Sequence, residues 1–438
     1  MSGIESRSKV PAWVWPAAAA AAILMLFAGL NYKVYDGYFQ DDELDNISWA
    51  PLKVGTAEVV TSLATPLFAT DNFRPPGHLY FALAGSAFGL DFPPYMTPIL
   101  LIHVLNCLLL YLLLRRMELG RWHALAGSAF FLLSVSAMDT YWKPMYVFDL
   151  LCTTFSLLTV LLWTRRQFVL CFLTYWLAYK SKELAVMLPP VLLAYEYWLG
   201  KRKYLPLVPF FLASLSFGLQ GILLNPNKNN DYTFRFTLAA LRITVPFYSA
   251  RFLTLPGSGA LLVPLVLVRD RRVWFGLAGL GCMIFTLLFL PGRLFEAYVY
   301  LPMAFGTVAM ASAATRLKPV YLLAVLLVWL PWNVKNLRGE QRAKLALDDQ
   351  AAPFVEAIQT WSAAHPAVTT LIYDGVPAGF HNWGVTAAWN LGHRSLGLQA
   401  LYRDTPEAAE ALRRNQVAFG TWDSGQHRLS IQIHSPER

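Results

Sequence analysis

The chain has 438 residues, of which 56% are hydrophobic, 14% aromatic and only 14% charged, with a mean hydropathy of +0.41. So little polar surface excludes a soluble globule and calls for a protein that crosses a bilayer many times. The net charge of +9 does not point to nucleic acid, because the basic clusters close apolar runs instead of lining a soluble module.

The first apolar run, roughly residues 12 to 30, carries the alanine stretch Ala17 to Ala22 and continues through Leu30 with no small-residue cleavage pattern after it. It reads as a retained anchor, not a secretion signal. Directly after it comes "YFQDDELDNISW", which crowds Asp41, Asp42, Glu43 and Asp45 together. Adjacent residues point about 100° apart on a helix, so Asp41 and Asp42 cannot both aim at one point: one faces a cavity and the other supports it. Two close carboxylates repel, which raises the proton affinity of at least one and suits it to accept a proton. The same run also fits a plain solvated acidic loop.

The loop from 31 to 95 is too long for a simple connection. Val59, Val60, Leu63, Ala64, Leu67 and Phe68 repeat at helical spacing, as do Leu79, Ala82, Leu83, Ser86, Ala87 and Leu90 after the breaker "FRPPGH". Both predict amphipathic helices at the membrane interface.

Further apolar runs fall at roughly 96 to 114, 122 to 138, 145 to 163, 167 to 180, 184 to 199, 205 to 224, 257 to 268, 273 to 290, 298 to 315 and 319 to 333. With the first they make about eleven candidate spans. Arg115 and Arg116, Arg165 and Arg166, Lys201 to Lys203, Arg269 to Arg272, and Arg316 with Lys318 close alternate ends of these runs. The positive-inside rule makes those ends cytoplasmic, with the N-terminus on the same side. The loop 31 to 95, the loop 225 to 256 and everything after Asn333 then lie outside.

Lys182 and Glu183 in "YKSKELAVMLPPVLLAYEYW" follow an apolar run of about a dozen residues, a rise of about 18 Å, so the turn sits below the outer surface. Charges at that depth pair or line a polar cavity. One long bent helix over 168 to 199 with an incidental charge pair is the alternative, and it would put Lys201 to Lys203 outside. In the second external loop Arg235, Arg242 and Arg251 punctuate "YTFRFTLAALRITVPFYSARFL", and headgroup contact accounts for Arg235 and Arg242. Cys107, Cys152, Cys171 and Cys282 all lie in proposed spans as core filling. "GLAGLG" at Gly276 matches a dinucleotide fingerprint only by letter and reads as close helix packing.

After Asn333 the composition shifts. Residues 338 to 364 are helix-prone, "VTTLIYD" and "RLSIQIH" read as strands, and "TPE" at 405 to 407 starts a helix. This divides the chain into a transmembrane unit, 1 to 334, and a small extracytoplasmic α/β domain, 335 to 438. The segment "DGVPAGFHNWGVTAAWNLGH" reads equally as a cover over a site and as a structural loop. The tail shows no tetratricopeptide periodicity.

The order hydrophobic span, "DDE", "NFRPPGHLYFALAGSAFGL", "LLIHVLNCLLLYLLLRR", "SKELAVMLPPVLLAYEYW" and "LPGRLFEAYVYLPMAFG" resembles the GT-C membrane glycosyltransferases. Within them it is most like the protein O-mannosyltransferase branch and the transmembrane mannosyltransferases with tetratricopeptide repeats, but without the repeats. The likeness covers about residues 12 to 315. It implies a mainly α, polytopic fold and an inverting transfer of a sugar from a polyprenyl-phosphate carrier to an acceptor hydroxyl on a glycan, lipid or protein, outside a bacterial inner membrane.

By match to the family, Asp42 or Asp41 is the general base, with Asp42 preferred. Lys182 is the first candidate for the donor phosphate, followed by Arg74, Arg293 and Arg251. Glu183, Asp139, Glu43 and His78 fall in supporting or acceptor positions. His78 and His103 also read as hydrogen-bonded packing residues. Around Asp139 the chain lacks the histidines and arginine common in the repeat-bearing relatives, and Lys143 is the only cation nearby. No His, Asp or Glu grouping has metal spacing, and the resemblance leaves a divalent ion open, since some members need one. The rival readings are a lipid-linked sugar flippase or transporter, or a polymerase or ligase using lipid-diphosphate donors.

Overall fold

The computed structural model describes Pro11 and residues 14–68, 73–223, 229–414 and 416–435. Residues 224–228, which include the start of the loop 225 to 256, and Asn72 of the "NFRPPGH" stretch lie outside the described residues. The first apolar run is helix α1 (Val14–Asn31). Two helices of the long loop follow, α2 (Asp41–Lys53) and α3 (Thr56–Ala64), and Pro75 opens α4 (Pro75–Phe88) at a first-turn position where its missing N–H loses nothing. The bundle continues with α5 (Pro93–Arg116), α6 (Arg121–Leu133), α7 (Val135–Trp142), α8 (Val147–Thr164), α9 (Phe168–Ser181), α10 (Leu188–Trp198) and α11 (Val208–Leu223). After it come α12 (Leu238–Arg251), a 3₁₀ segment (Ser258–Leu267), α13 (Arg271–Phe285) and α14 (Tyr300–Ala314).

Each apolar run of the sequence holds a helix, but not each of these helices is long enough by itself to span a bilayer. Among the described residues six helices are long and apolar enough to span a membrane, or up to seven if the bent pair α6 and α7 is one span. That pair turns by 57° at Ser134. A break inside a bilayer frees backbone groups that must find partners. Buried Asn333 supplies both: its Oδ1 accepts from Val135 N at 2.8 Å and its Nδ2 donates to Leu133 O at 2.7 Å. The run 167 to 199 is likewise broken, with α9 ending at Ser181 and α10 starting at Leu188.

The basic clusters gather at one end of the bundle. Fully buried Glu196 accepts from Trp163 Nε1 at 2.7 Å, from the backbone N–H groups of Lys201 and Lys203 at 3.1 Å, and from the Arg166 guanidinium. Arg116 reaches Thr164, and Arg272 reaches Met117 O at 3.4 Å. The glycines of "GLAGLG" let α13 lie against α14: a Cβ on Gly276 would come within 2.4 Å of Ala309 N, and one on Gly279 within 2.5 Å of the Phe305 ring.

The last apolar run does not stop at the membrane. Helix α15 (Pro319–Ala364) continues for 46 residues, passing through residue 334 without interruption. Arg338 and Gln341 donate to Leu30 O at 2.9 and 3.0 Å, covering the exposed carbonyl end of α1. Farther along, Lys344 pairs with Asp139. Asp348 receives Lys143 Nζ at 2.5 Å, Gln40 Nε2 at 2.8 Å and Tyr38 N at 3.2 Å.

Beyond it lie β1 (Thr370–Asp374), α16 (Asn382–His393), β2 (Gln399–Tyr402), α17 (Pro406–Arg414), β3 (Val417–Asp423) and β4 (Arg428–His434). The sheet order is β2-β1-β3-β4, with β1 parallel to both neighbours and β3 antiparallel to β4. Phe354 of α15 packs edge-on to Trp422 and Phe380, each at 5.4 Å, so the long helix is also a wall of this small core.

Candidate active site

The acidic run sits on the first turn of α2, where carboxylates meet the positive end of the helix dipole. Helical geometry then sends its members to different places. Glu43 turns back: its Oε2 accepts from Gln40 N at 2.7 Å and its Oε1 from Met145 N at 3.3 Å. Burial pushes its carboxyl up to about 7, against the pull of Lys143. Glu43 therefore fixes the helix start.

This carries a pH consequence. With a folded value near 7 against an ordinary 4.5, the folded state holds the proton more tightly, so stability falls as pH rises from 4.5 towards 7 and stays low above that. Glu43→Gln keeps an acceptor for Gln40 N and removes the titration. Its thermal stability relative to wild type is expected to improve between pH 5 and pH 8 by on the order of 3 kcal/mol. A difference that stays flat across that range contradicts the assignment.

Asp41 is buried and held by one residue: His381 donates to Oδ1 through its backbone N–H at 2.9 Å, and its Nδ1 lies 2.6 Å from Oδ2. Burial pushes the Asp41 carboxyl up; the His381 contacts pull it down and the Asp42 charge pushes it further up. Asp42, like Asp45, is exposed. Its Oδ1 accepts from Trp383 Nε1 at 3.0 Å, and its Oδ2 has no partner among the described residues. Both contacts come from the aromatic, glycine-rich stretch that precedes and opens α16. Gly384 permits the approach, since a Cβ there would sit 2.2 Å from Asp41 Oδ1 and 3.0 Å from its Cα. Gly384→Ala is thus expected to lower thermal stability by about 1–3 kcal/mol through overpacking. Helix propensity alone would raise it by about 1 kcal/mol, so a higher unfolding midpoint rules out the close fit.

The cations come from the bundle. Lys182, at the break between α9 and α10, places Nζ 2.5 Å from Asp149 Oδ2 and 4.5 Å from the centre of the Tyr298 ring. Arg74, just before α4, grips Glu183 with Nε at 2.9 Å from Oε1 and Nη2 at 3.1 Å from Oε2. Lys182, Arg74, Glu183 and Asp149 form one neutral quartet. Arg251 pairs with Glu296 at 2.9 Å.

Arg293 differs from all of these. Its guanidinium lies 4.3 Å from the Tyr232 ring centre and 4.5 Å from that of Phe295, with no carboxylate partner among the described residues. Its Nε is buried and without an acceptor, as is Nε of Arg251. Gly292 allows this packing, because a Cβ there would meet Asp231 Cα at 2.8 Å.

Tyr232 is where the two sets meet. Burial pushes its phenol up, Arg293 and Arg74 pull it down, and Tyr298 and Asp42 push it up again. The preferred base and two of the four predicted phosphate cations therefore all lie within electrostatic range of Tyr232. Lys182 packs on the ring of Tyr298, another of the groups Tyr232 feels, and Glu296, the partner of Arg251, lies within electrostatic range of the Asp139–Lys344 pair. His78 is a packing residue: it stacks on Phe73 at 5.2 Å, lies 2.8 Å from Arg74 N, and is pushed down to about 3 by burial and then by the Arg74 charge. His103 is buried between Tyr300 OH at 2.6 Å and Leu132 O at 3.1 Å. Among the described residues no three His, Cys, Asp or Glu side chains converge as a metal-ligand set. Sequence reasoning had no signal for the specific pairing of His381 and Trp383 with the aspartates, nor for Tyr232 as a meeting point.

No family model and no curated protein sequence matches the chain. A solved structure does: the crystal structure of ArnT from Cupriavidus metallidurans in the apo state superposes with a TM-score of 0.56 at 12% identity, over 95% of this chain and 98% of that one. At that identity the likeness concerns the fold alone. The chain has the mainly helical GT-C architecture with a small C-terminal α/β unit, as its sequence order implied.

Proposed function

We propose that this protein moves a sugar from a polyprenyl-phosphate carrier to an acceptor hydroxyl, with inversion at the anomeric carbon, at the bundle end opposite the basic clusters. The positive-inside rule makes that end the outer face. The reading is carried by Asp42, with an open carboxylate oxygen, and Arg293, a cation packed on Tyr232 without a counter-ion among the described residues, Asp42 lying within electrostatic reach of that same tyrosine.

Asp42 takes the proton as the acceptor oxygen bonds to the anomeric carbon, and the bond from that carbon to the phosphate oxygen breaks with its electron pair leaving on the lipid phosphate. The growing phosphate charge is met by Arg293, whose orphaned donor is already desolvated and fixed by two rings. Lys182 and Arg74, restrained by Asp149 and Glu183, shape the phosphate side and add field without demanding two bare charges in the bilayer. Asp41 and Glu43 hold α2 in place.

Mass spectrometry of lipid co-purifying with the protein tests this reading and names the sugar. A glycosylated polyprenyl monophosphate is the expected species. A diphosphate-linked glycan points to a polymerase or ligase instead, and ordinary phospholipid with no transfer from added lipid-phosphate sugars overturns the proposal.

A further inference from the structure

Trp383 is a large aromatic that the fold leaves open. It is 49% exposed, yet its indole N–H is taken by Asp42 Oδ1 at 3.0 Å. His381 stacks on it with centroids 4.4 Å apart and planes within 13°. His381 is itself 55% exposed at the side chain and pinned to Asp41 by two hydrogen bonds. An indole resting in a lipid headgroup layer would turn its N–H to water or phosphate. Here the N–H faces the carboxylate, and with His381 covering one face the exposed area belongs to the other face and rim. The result is a flat apolar plate, immobilised before any ligand arrives, with acceptor oxygens of Asp42 at its edge.

That combination matches one ligand class: a pyranose, whose C–H face is apolar and whose rim carries hydroxyl donors. We propose that the His381–Trp383 pair is a sugar-binding platform, and that the ring it holds is the acceptor's, making the acceptor a glycan and not a bare peptide. The second half rests on the transfer reading; the platform itself does not. A ring stacked on Trp383 presents its hydroxyls to Asp42, so the plate that binds the acceptor also delivers its proton to the base.

Saturation-transfer difference NMR on the full chain in lipid nanodiscs, with methyl β-D-glucopyranoside, methyl β-D-galactopyranoside and N-acetylglucosamine as probes, tests it. At least one probe is expected to show transfer concentrated on the ring protons of a single face. Trp383→Ala should weaken that transfer about tenfold, while Trp383→Phe, which keeps a ring, and Asp42→Asn, which keeps an acceptor oxygen for the indole, should retain it. Absence of transfer to all three probes, or equal transfer in wild type and Trp383→Ala, overturns the platform. Loss in Trp383→Phe at an unchanged unfolding midpoint overturns the stacking role. With a lipid-phosphate sugar as donor, Trp383→Phe should raise the acceptor KM several-fold with little change in kcat, and transfer to a peptide hydroxyl with no glycan product overturns the acceptor assignment. Should the wild-type protein give no transfer from added lipid-phosphate sugars while the NMR effect follows Trp383, the transfer reading fails and the sugar platform stands.

Discussion

Asp42→Asn is expected to lower sugar transfer about 10²–10⁴-fold, the range that a positioned general base contributes, with expression and unfolding midpoint unchanged. Stability should hold because Asn keeps an acceptor for Trp383 Nε1 and the side chain is exposed. Asp41→Asn should behave differently: its carboxylate faces His381 at 2.6 and 2.9 Å, so the loss should show first as a loosened contact between α2 and α16. Transfer from a radiolabelled lipid-phosphate sugar, measured beside thermal unfolding, separates the two. Full turnover in both variants would remove the base from this acidic run.

Arg293→Ala should be the most damaging of the cation substitutions for turnover, by about 10²–10³-fold, the scale of deleting one preorganised charge-stabilising donor. Arg293→Lys should recover only part of it, since an ammonium lacks the planar fork. Lys182→Met is expected to act mainly on stability, because it strands the buried Asp149 carboxylate, a defect that typically costs about 3–5 kcal/mol. Donor KM and kcat measured for the three variants decide the order. If Lys182→Met folds normally and loses donor affinity while Arg293→Ala does not, the phosphate is held on the quartet side.

The parts legible in the sequence were those encoded locally. The apolar helices, the charges that close them, the acidic start of α2 and the interruption at Lys182 each depend on neighbours within a turn or two, and all appear in the structure, although only six or seven of about eleven runs hold a helix of spanning length among the described residues. Full crossings were harder to read, because the bend at Ser134 is satisfied by Asn333, 200 positions away, and neither residue announces the other. The ranking of cations was illegible for the same reason. Whether an arginine is bare or neutralised depends on which carboxylate the fold brings to it: Glu183 to Arg74, Glu296 to Arg251, and none among the described residues to Arg293. His381 and Trp383 sit about 340 positions from the aspartates they contact. The glycine and aromatic content of their segment hinted at a special surface but could not say what it faced. Strand β2 is short, and β3, though seven residues long, is interrupted by Gly420; both escaped notice between clearer signals.

The unbroken run of α15 has a practical corollary for anyone dissecting this protein by cloning. At about 1.5 Å per residue its 46 residues form a strut of roughly 70 Å, half in the lipid and half serving as the spine of the cap. A stop codon placed between the two halves would not yield a lighter transferase. It would strip partners from Asp139, Lys143 and the terminal carbonyls of α1, and a cap expressed without its half of the helix would lack Phe354, the keystone of its own interior. The two portions are expected to be inherited, swapped and expressed as one piece.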